Sequence, residues 1–110
     1  MPCYLLSMSI KLSRDEVITR LKSAEPQLRA MGVAALYLYG SYARDEARDD
    51  SDIDIFIDQA PGLAPLDFDP LDVMFLLEGV FPGVELGFGT RENIVPVFRP
   101  RIENSSIRII

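Results

Sequence analysis

The chain has 110 residues, of which 48% are hydrophobic and 25% are charged, and its net charge is −6. A chain of this length buries about 60 to 70% of its unfolded surface, enough for one hydrophobic core, so we expect a single domain over residues 1–110. The acidic balance argues against extended nucleic-acid binding, which needs concentrated Lys and Arg. One cysteine and no histidine exclude an internal disulfide and histidine-based acid–base catalysis.

The N-terminal segment carries no recognisable targeting signal. It lacks the basic start and full apolar stretch of a signal peptide, and no run in the chain approaches the ~18 apolar residues of a membrane helix. We therefore expect a cytoplasmic protein with no membrane partner. Residues 1–12 are predicted to be flexible or to contain an alternative start, because Met8 could initiate the chain as well as Met1.

Two helices and a strand are predicted before residue 40. Ser13, with Glu16 three residues later, forms a capping box that precedes apolar residues at helical spacing. Pro26 predicts a break near residue 25 and a second short helix that ends at Gly32. The apolar stretch over residues 33–39 then predicts the first strand.

The segment after this strand has the features of a phosphate-binding turn. Gly40 would let the backbone turn sharply and approach a ligand closely, and Ser41 adds a small hydroxyl. A short helix, predicted from residue 41 or 42 through residue 47, would direct free N–H groups at an anion. Arg44 and Arg48, one helical turn apart, would add positive charge.

The second strand is predicted over residues 52–58, whose sequence is DIDIFID. Successive side chains of a strand alternate, so the isoleucines would face the core while Asp52, Asp54, Phe56 and Asp58 share the other face. Two neighbouring carboxylates on a rigid strand repel each other unless a cation neutralises them. Magnesium prefers such ligands and also binds substrate phosphates, so the turn and the carboxylates together indicate nucleotidyl transfer.

The remaining elements complete an α/β (α+β) fold, with a small mixed sheet and helices packed on one face. A loop is predicted over residues 59–65, and then a helix capped by Asp69 and Pro70. On a third strand, over residues 84–88, Glu85 and Gly87 share a face, so Glu85 can join the acids of strand two. A short helix after residue 92 and a strand or interface tail over residues 106–110 follow. The helix that begins after Asp69 is predicted to have a broad apolar face, which contains Leu71, Met74, Phe75 and Leu77.

Residues 40–44 and 51–54 resemble the Gly-Ser, ten residues, Asp-x-Asp signature of the DNA polymerase beta-like nucleotidyltransferase superfamily. They are most similar to its minimal nucleotidyltransferases, whose motif commonly has a glycine where this chain has Asp45. The family takes a third carboxylate from a later strand, typically an aspartate, and Glu85 occupies that place. The resemblance covers roughly residues 13–102.

The resemblance implies a polymerase beta-like core that transfers AMP from ATP to a hydroxyl group with the help of two Mg²⁺ ions. The implied catalytic residues, which are also the metal ligands, are Asp52, Asp54 and Glu85. The implied nucleotide-binding residues are Gly40, Ser41 and Arg44.

Three functions remain open at this level. Minimal nucleotidyltransferases often pair with a helical HEPN toxin and neutralise it by adding AMP to a tyrosine, which would make this chain an antitoxin. Alternatively, the chain adenylylates a small molecule of the aminoglycoside type, and a homo-oligomer builds the missing acceptor pocket. The third reading is a catalytically inactive partner that binds nucleotide or masks its toxin.

Overall fold

The computed structural model describes residues 12–48, 51–62 and 68–110. The predicted flexible or alternative start lies, except for residue 12, outside these ranges, as do the last three residues of the predicted 59–65 loop. Among the helices described, none combines the length and the apolar character needed to cross a bilayer.

The two N-terminal helices are confirmed. Helix α1 (Arg14–Ser23) begins with the predicted capping box, in which the Glu16 N–H donates to Ser13 Oγ at 3.0 Å and the Ser13 N–H donates to Glu16 Oε1 at 3.3 Å. Helix α2 (Glu25–Ala30) starts afresh with proline in its first turn, where the missing N–H of proline costs no hydrogen bond.

Within the described ranges, four strands form one mixed sheet in the order β3-β2-β1-β4. Strands β1 (Val33–Tyr39) and β2 (Ile53–Gln59) are antiparallel, and β4 (Ile107–Arg108) pairs antiparallel with β1. Strand β3 (Leu86–Thr90) runs parallel to β2. The mixed sheet and the bounds of the first strand are as predicted.

The isoleucine face of β2 is the core of the molecule. Ile53, Ile55 and Ile57 are fully buried, as are Val17 and Leu21 of α1. They belong to one continuous cluster that also includes buried residues of α2, β1 and the helix after β2. The opposite face, which carries the acidic residues of β2, is therefore the face on which a polar site can form.

A single helical turn, α3 (Gly40–Ala43), follows β1, and helix α4 (Pro70–Val80) follows β2. Helix α4 has the predicted cap but not the predicted apolar face. The Leu71 N–H donates to the Asp69 carboxylate at 2.9 Å, as the sequence indicated. Only Val73 and Leu77 are buried, whereas Leu71 and Phe75 are 56% and 61% exposed. Residues two apart on a helix point to opposite sides, so a helix that packs through positions 73 and 77 leaves 71 and 75 in solvent.

The third strand lies two residues later than predicted. It spans Leu86–Thr90 instead of residues 84–88 because its start is set by parallel pairing with β2, where Ile53 lies opposite Leu86. The Ile53 N–H donates to the carbonyl oxygen of Glu85 at 3.0 Å. Glu85 therefore precedes the strand instead of lying within it.

The residues after β3 cross the acidic face of the sheet. A 3₁₀ turn (Arg91–Asn93) and helix α5 (Arg99–Ser105) belong to this stretch, residues 91–105, which we call the C-terminal segment. The Arg91 guanidinium pairs with both oxygens of Asp58 at 2.7 and 2.8 Å and also pairs with Glu103. It lies over the rings of Tyr37 and Phe56, 4.9 and 5.1 Å from their centroids. Arg91 thus fastens the C-terminal segment to the sheet.

Replacing Arg91 by alanine should destabilise the protein by about 2–3 kcal/mol, since it removes charge-assisted hydrogen bonds from partly buried carboxylates and leaves Asp58 without this partner. Arg91→Lys, which keeps the charge but loses the planar fork, should give a smaller loss. Urea denaturation of the three proteins measures the difference. An unchanged free energy of unfolding for Arg91→Ala would show that the segment is held by other contacts.

Candidate active site

The Gly-Ser turn connects β1 to a single helical turn, α3 (Gly40–Ala43). Gly40 has φ +74°, a left-handed conformation that favours glycine. The predicted helix through residue 47 is wrong, since α3 stops at Ala43. Its end follows from Asp45, whose φ of +58° is also left-handed and incompatible with continuing the helix.

Asp45 occupies the position that is glycine in the family pattern. Its left-handed backbone conformation is the reason why glycine suits this position. Aspartate tolerates left-handed φ better than most residues, but at a cost that glycine does not incur. We therefore expect Asp45→Gly to raise the free energy of unfolding by about 0.5–1 kcal/mol, after part of the gain is offset by the greater entropy of unfolded glycine. Denaturant titration beside Asp45→Ala is the check. A glycine variant no more stable than the alanine variant would refute this account.

The carboxylate of Asp54 is seated between two glycines. A Cβ placed on Gly40 would overlap Asp54 Oδ2, and a Cβ placed on Gly87 would overlap Asp54 Oδ1. The same two positions are 3.1 and 3.5 Å from Asp54 Cγ. Asp54 pairs in register with Tyr39 on one side and with Gly87 on the other. Gly87, which was predicted to share a strand face with Glu85, leaves room for the Asp54 carboxylate.

The surroundings of the Asp54 carboxylate disfavour its ionised form. Burial, and secondarily the charge of Asp52, raise the pKa of Asp54 above its ordinary value, while Arg44 lowers it. Burial and the charge of Asp54 likewise raise the pKa of Tyr39. Both shifts indicate a half-buried site where an anion is unfavourable and a cation would be stabilised.

The two aspartates fit a divalent cation that takes only some of its ligands from the protein. Magnesium is usually held by one or two carboxylates together with substrate phosphates, and Asp52 with Asp54 supplies that number. Across the described ranges, no three His, Cys, Asp or Glu side chains lie close enough together to form a metal site. Glu85 is exposed, and its carbonyl oxygen accepts a hydrogen bond from the N–H of Ile53, the residue after Asp52. The structure thus brings the two aspartates together but does not gather Glu85 with them.

The predicted nucleotide-binding residues Gly40, Ser41 and Arg44 lie within or at the end of α3, and Gly40 is next to the Asp54 carboxylate. Ser41 lies in the first turn of α3, where N–H groups have no partner within the helix. Arg44 caps the end of α3 and is close enough to Asp54 to affect its pKa. Its guanidinium pairs with Glu46 at 2.6 Å on the exposed surface, so a phosphate would compete with that carboxylate.

Sequence analysis missed a cavity beside the acids. It has a volume of about 300 Å³ and lies between the acidic face of the sheet and the C-terminal segment. The apolar run Val95-Pro96-Val97-Phe98 was the available signal, but only the packing of this segment across the sheet makes it a wall. The residues that line the cavity are Tyr39, Phe56, Phe88, Gly89, Thr90, Asn93, Ile94, Val95, Phe98 and Ile102.

Comparison with known proteins agrees with this geometry. A family model described as a nucleotidyltransferase domain matches residues 14–109, and the chain therefore belongs to the nucleotidyltransferase family. A protein of Methanocaldococcus jannaschii named "Putative protein adenylyltransferase" is 34% identical over 85 residues, which are 77% of this chain and 88% of that protein. The protein is accordingly a nucleotidyltransferase.

Similar solved structures indicate which kind of nucleotidyltransferase this chain is. One described as a "putative minimal nucleotidyltransferase" has a TM-score of 0.71 and 25% identity, and covers 87% of this chain and 95% of its own. A toxin–antitoxin complex with AMP-PNP has a TM-score of 0.58 at 18% identity, and a mutant of the MntA–HpeT toxin–antitoxin pair has 0.55 at 16%; each covers 90% of this chain and 73% of the other, and these two show the fold alone. Fold and motif place the chain among the minimal nucleotidyltransferases of the polymerase beta-like superfamily.

Proposed function

We propose that the protein transfers AMP from ATP to a tyrosine of a helical HEPN-type partner and so acts as an antitoxin. The observation that carries the proposal is the Asp54 carboxylate, which is held between Gly40 and Gly87 and lies near Asp52. This arrangement places a charged carboxylate pair immediately next to a turn suited to phosphate. Such a combination is what the transfer of a nucleotidyl group requires.

Each residue has a definable role in this proposal. Asp52 and Asp54 would hold magnesium, and Glu85 would complete the site for the metal that orients the acceptor hydroxyl. Bound magnesium supplies charge neutralisation at the phosphates and lowers the pKa of the acceptor hydroxyl. Gly40 and Ser41 position the triphosphate through the first turn of α3.

The reaction is an in-line displacement at the α-phosphate. The acceptor oxygen forms a new bond to phosphorus while the bond to pyrophosphate breaks, and Glu85 takes up the proton of the hydroxyl. Since the protein forms no covalent bond with the substrate in this scheme, its contribution is positioning and charge stabilisation.

Two comparisons support a protein acceptor. The relative from Methanocaldococcus jannaschii is named as a protein adenylyltransferase, and two structural neighbours are toxin–antitoxin assemblies, one of them with AMP-PNP. A role beside a toxin in the cytoplasm, where ATP is supplied, is consistent with both. The identity of the partner as a HEPN protein and the use of Mg²⁺ are parts of the proposal.

The test is transfer of label from α-labelled ATP in the presence of Mg²⁺ and a lysate of the source organism. We expect label on one protein band whose mass and modified peptide identify a helical partner and a tyrosine, and we expect EDTA to abolish the label. Label on a soluble amino sugar instead would assign a small-molecule acceptor. Magnesium-dependent ATP binding with no transfer to any acceptor would make the protein an inactive partner.

A further inference from the structure

The cavity between the sheet and the C-terminal segment is adjacent to Asp54 through the strand register. Tyr39, which lines the cavity, lies opposite Asp54 in the β1–β2 register. Phe56, which also lines it, follows Asp54 by two residues on the same face of β2, a separation of about 6.6–6.8 Å along a strand. If the α-phosphate of a nucleotide lies at Asp54 and its other phosphates lie at the Gly40 turn, the ribose and base would extend toward this cavity.

The cavity has the chemistry of a site for a flat ring. Phe56 forms its floor and is already covered, because it stacks on Tyr37 at 4.7 Å and lies beneath the Arg91 guanidinium. Phe98, in contrast, is 55% exposed, which leaves ring surface available for stacking. Asn93 contributes an amide that can both donate and accept hydrogen bonds, as the edge of a purine requires.

The volume of the cavity and the free space at its wall also fit a flat ring. About 300 Å³ is at the lower end of the range for small-molecule sites, so the cavity suits a base better than a folded segment of another protein. Gly89 forms part of the wall, and a Cβ placed on it would meet no atom within 4 Å. The space above β3 is thus open to a ligand.

We propose that this cavity receives the purine ring of the nucleoside triphosphate, with the C-terminal segment as its outer wall. The proposal rests on the proposed function and adds to it the place where the base is bound. Because Arg91 fastens this segment to the sheet, the wall is present before the nucleotide arrives. Stacking on an aromatic side chain is sufficient to change affinity about tenfold.

The test compares the affinities of ATP and tripolyphosphate by calorimetry in Mg²⁺. Phe98→Ala removes a stacking surface, and Gly89→Val fills the cavity without a clash at Cβ. We expect each variant to weaken ATP binding about tenfold or more and to change tripolyphosphate binding less than twofold. Val97→Ala is the matched control, because Val97 is 76% exposed in the same segment and does not line the cavity.

The failures of the two proposals can be told apart. If Phe98→Ala and Gly89→Val bind ATP as tightly as the unchanged protein, the assignment of the cavity to the base is overturned while the proposed function stands. The same holds if they bind ATP normally but no longer modify the acceptor, since the cavity then serves the acceptor. If the unchanged protein binds neither ATP nor tripolyphosphate, the proposed function itself is overturned.

Discussion

Replacing Asp52 and Asp54 together by asparagine should lower the rate of nucleotidyl transfer by on the order of 10³-fold or more. The two carboxylates provide the negative charge that would hold magnesium, and asparagine keeps their shape without that charge. The measurement is a time course of label transfer from α-labelled ATP. Asp72→Asn, on the exposed surface of α4, is the matched control and should retain full activity.

The double variant should remain folded, and the direction of the Asp54 pKa shift says why. A carboxyl whose pKa is raised in the folded state makes the fold less stable as pH rises through that pKa, because its ionised form is disfavoured. Neutral asparagine removes this penalty. At pH 7 without metal, the free energy of unfolding should equal or exceed that of the unchanged protein. Retained transfer in a folded double variant would end the assignment of this site.

Replacing Gly87 by alanine should lower transfer by about 10²-fold while all carboxylates remain in the sequence. The new Cβ would overlap Asp54 Oδ1, so the carboxylate must move away from β3. A displacement of about 1 Å at a reacting centre is enough for a loss of this size. Steady-state kinetics should place most of the change in kcat, since the displaced carboxylate is one that would act at the reacting centre.

Gly79→Ala is the comparison for this variant. A Cβ at Gly79 in α4 meets no atom within 4 Å, and alanine favours a helix over glycine by about 0.5–1 kcal/mol. This variant should therefore be fully active and slightly more stable. If Gly87→Ala were as active as Gly79→Ala, the position of the Asp54 carboxylate between Gly40 and Gly87 would not be important for transfer.

Local rules predicted the parts of the fold that depend on neighbouring residues. The capping box at Ser13, the restart at Pro26 and the cap at Asp69 each involve groups within a few positions of one another, so sequence spacing specifies them. The alternation in β2 is of the same kind, since every second side chain of a strand must share a face. Asp54 and Asp58 were separated correctly from the core isoleucines for that reason, whereas β2 begins at Ile53, one residue later than predicted, and leaves the exposed Asp52 just before the strand.

Predictions that depended on a distant partner were less accurate. The start of β3 is set by its pairing with β2, and the two-residue shift places Glu85 before the strand. The apolar face of α4 was misjudged because the sheet, not the helix, decides which residues are covered. The position of Asp45 could be matched to the family glycine from sequence, but its left-handed backbone could be seen only in the structure.

Residue spacing was enough to predict the class of chemistry, through the pair Gly40-Ser41 and two aspartates one residue apart, Asp52 and Asp54. Two features became visible only in the folded chain: Gly40 and Gly87 hold Asp54 from both sides, and the C-terminal segment forms one wall of a nearby cavity. Gly87 and the C-terminal segment are more than 30 residues from Asp54 along the chain. Their placement depends on strand register and on the Arg91–Asp58 pair, which no local pattern specifies.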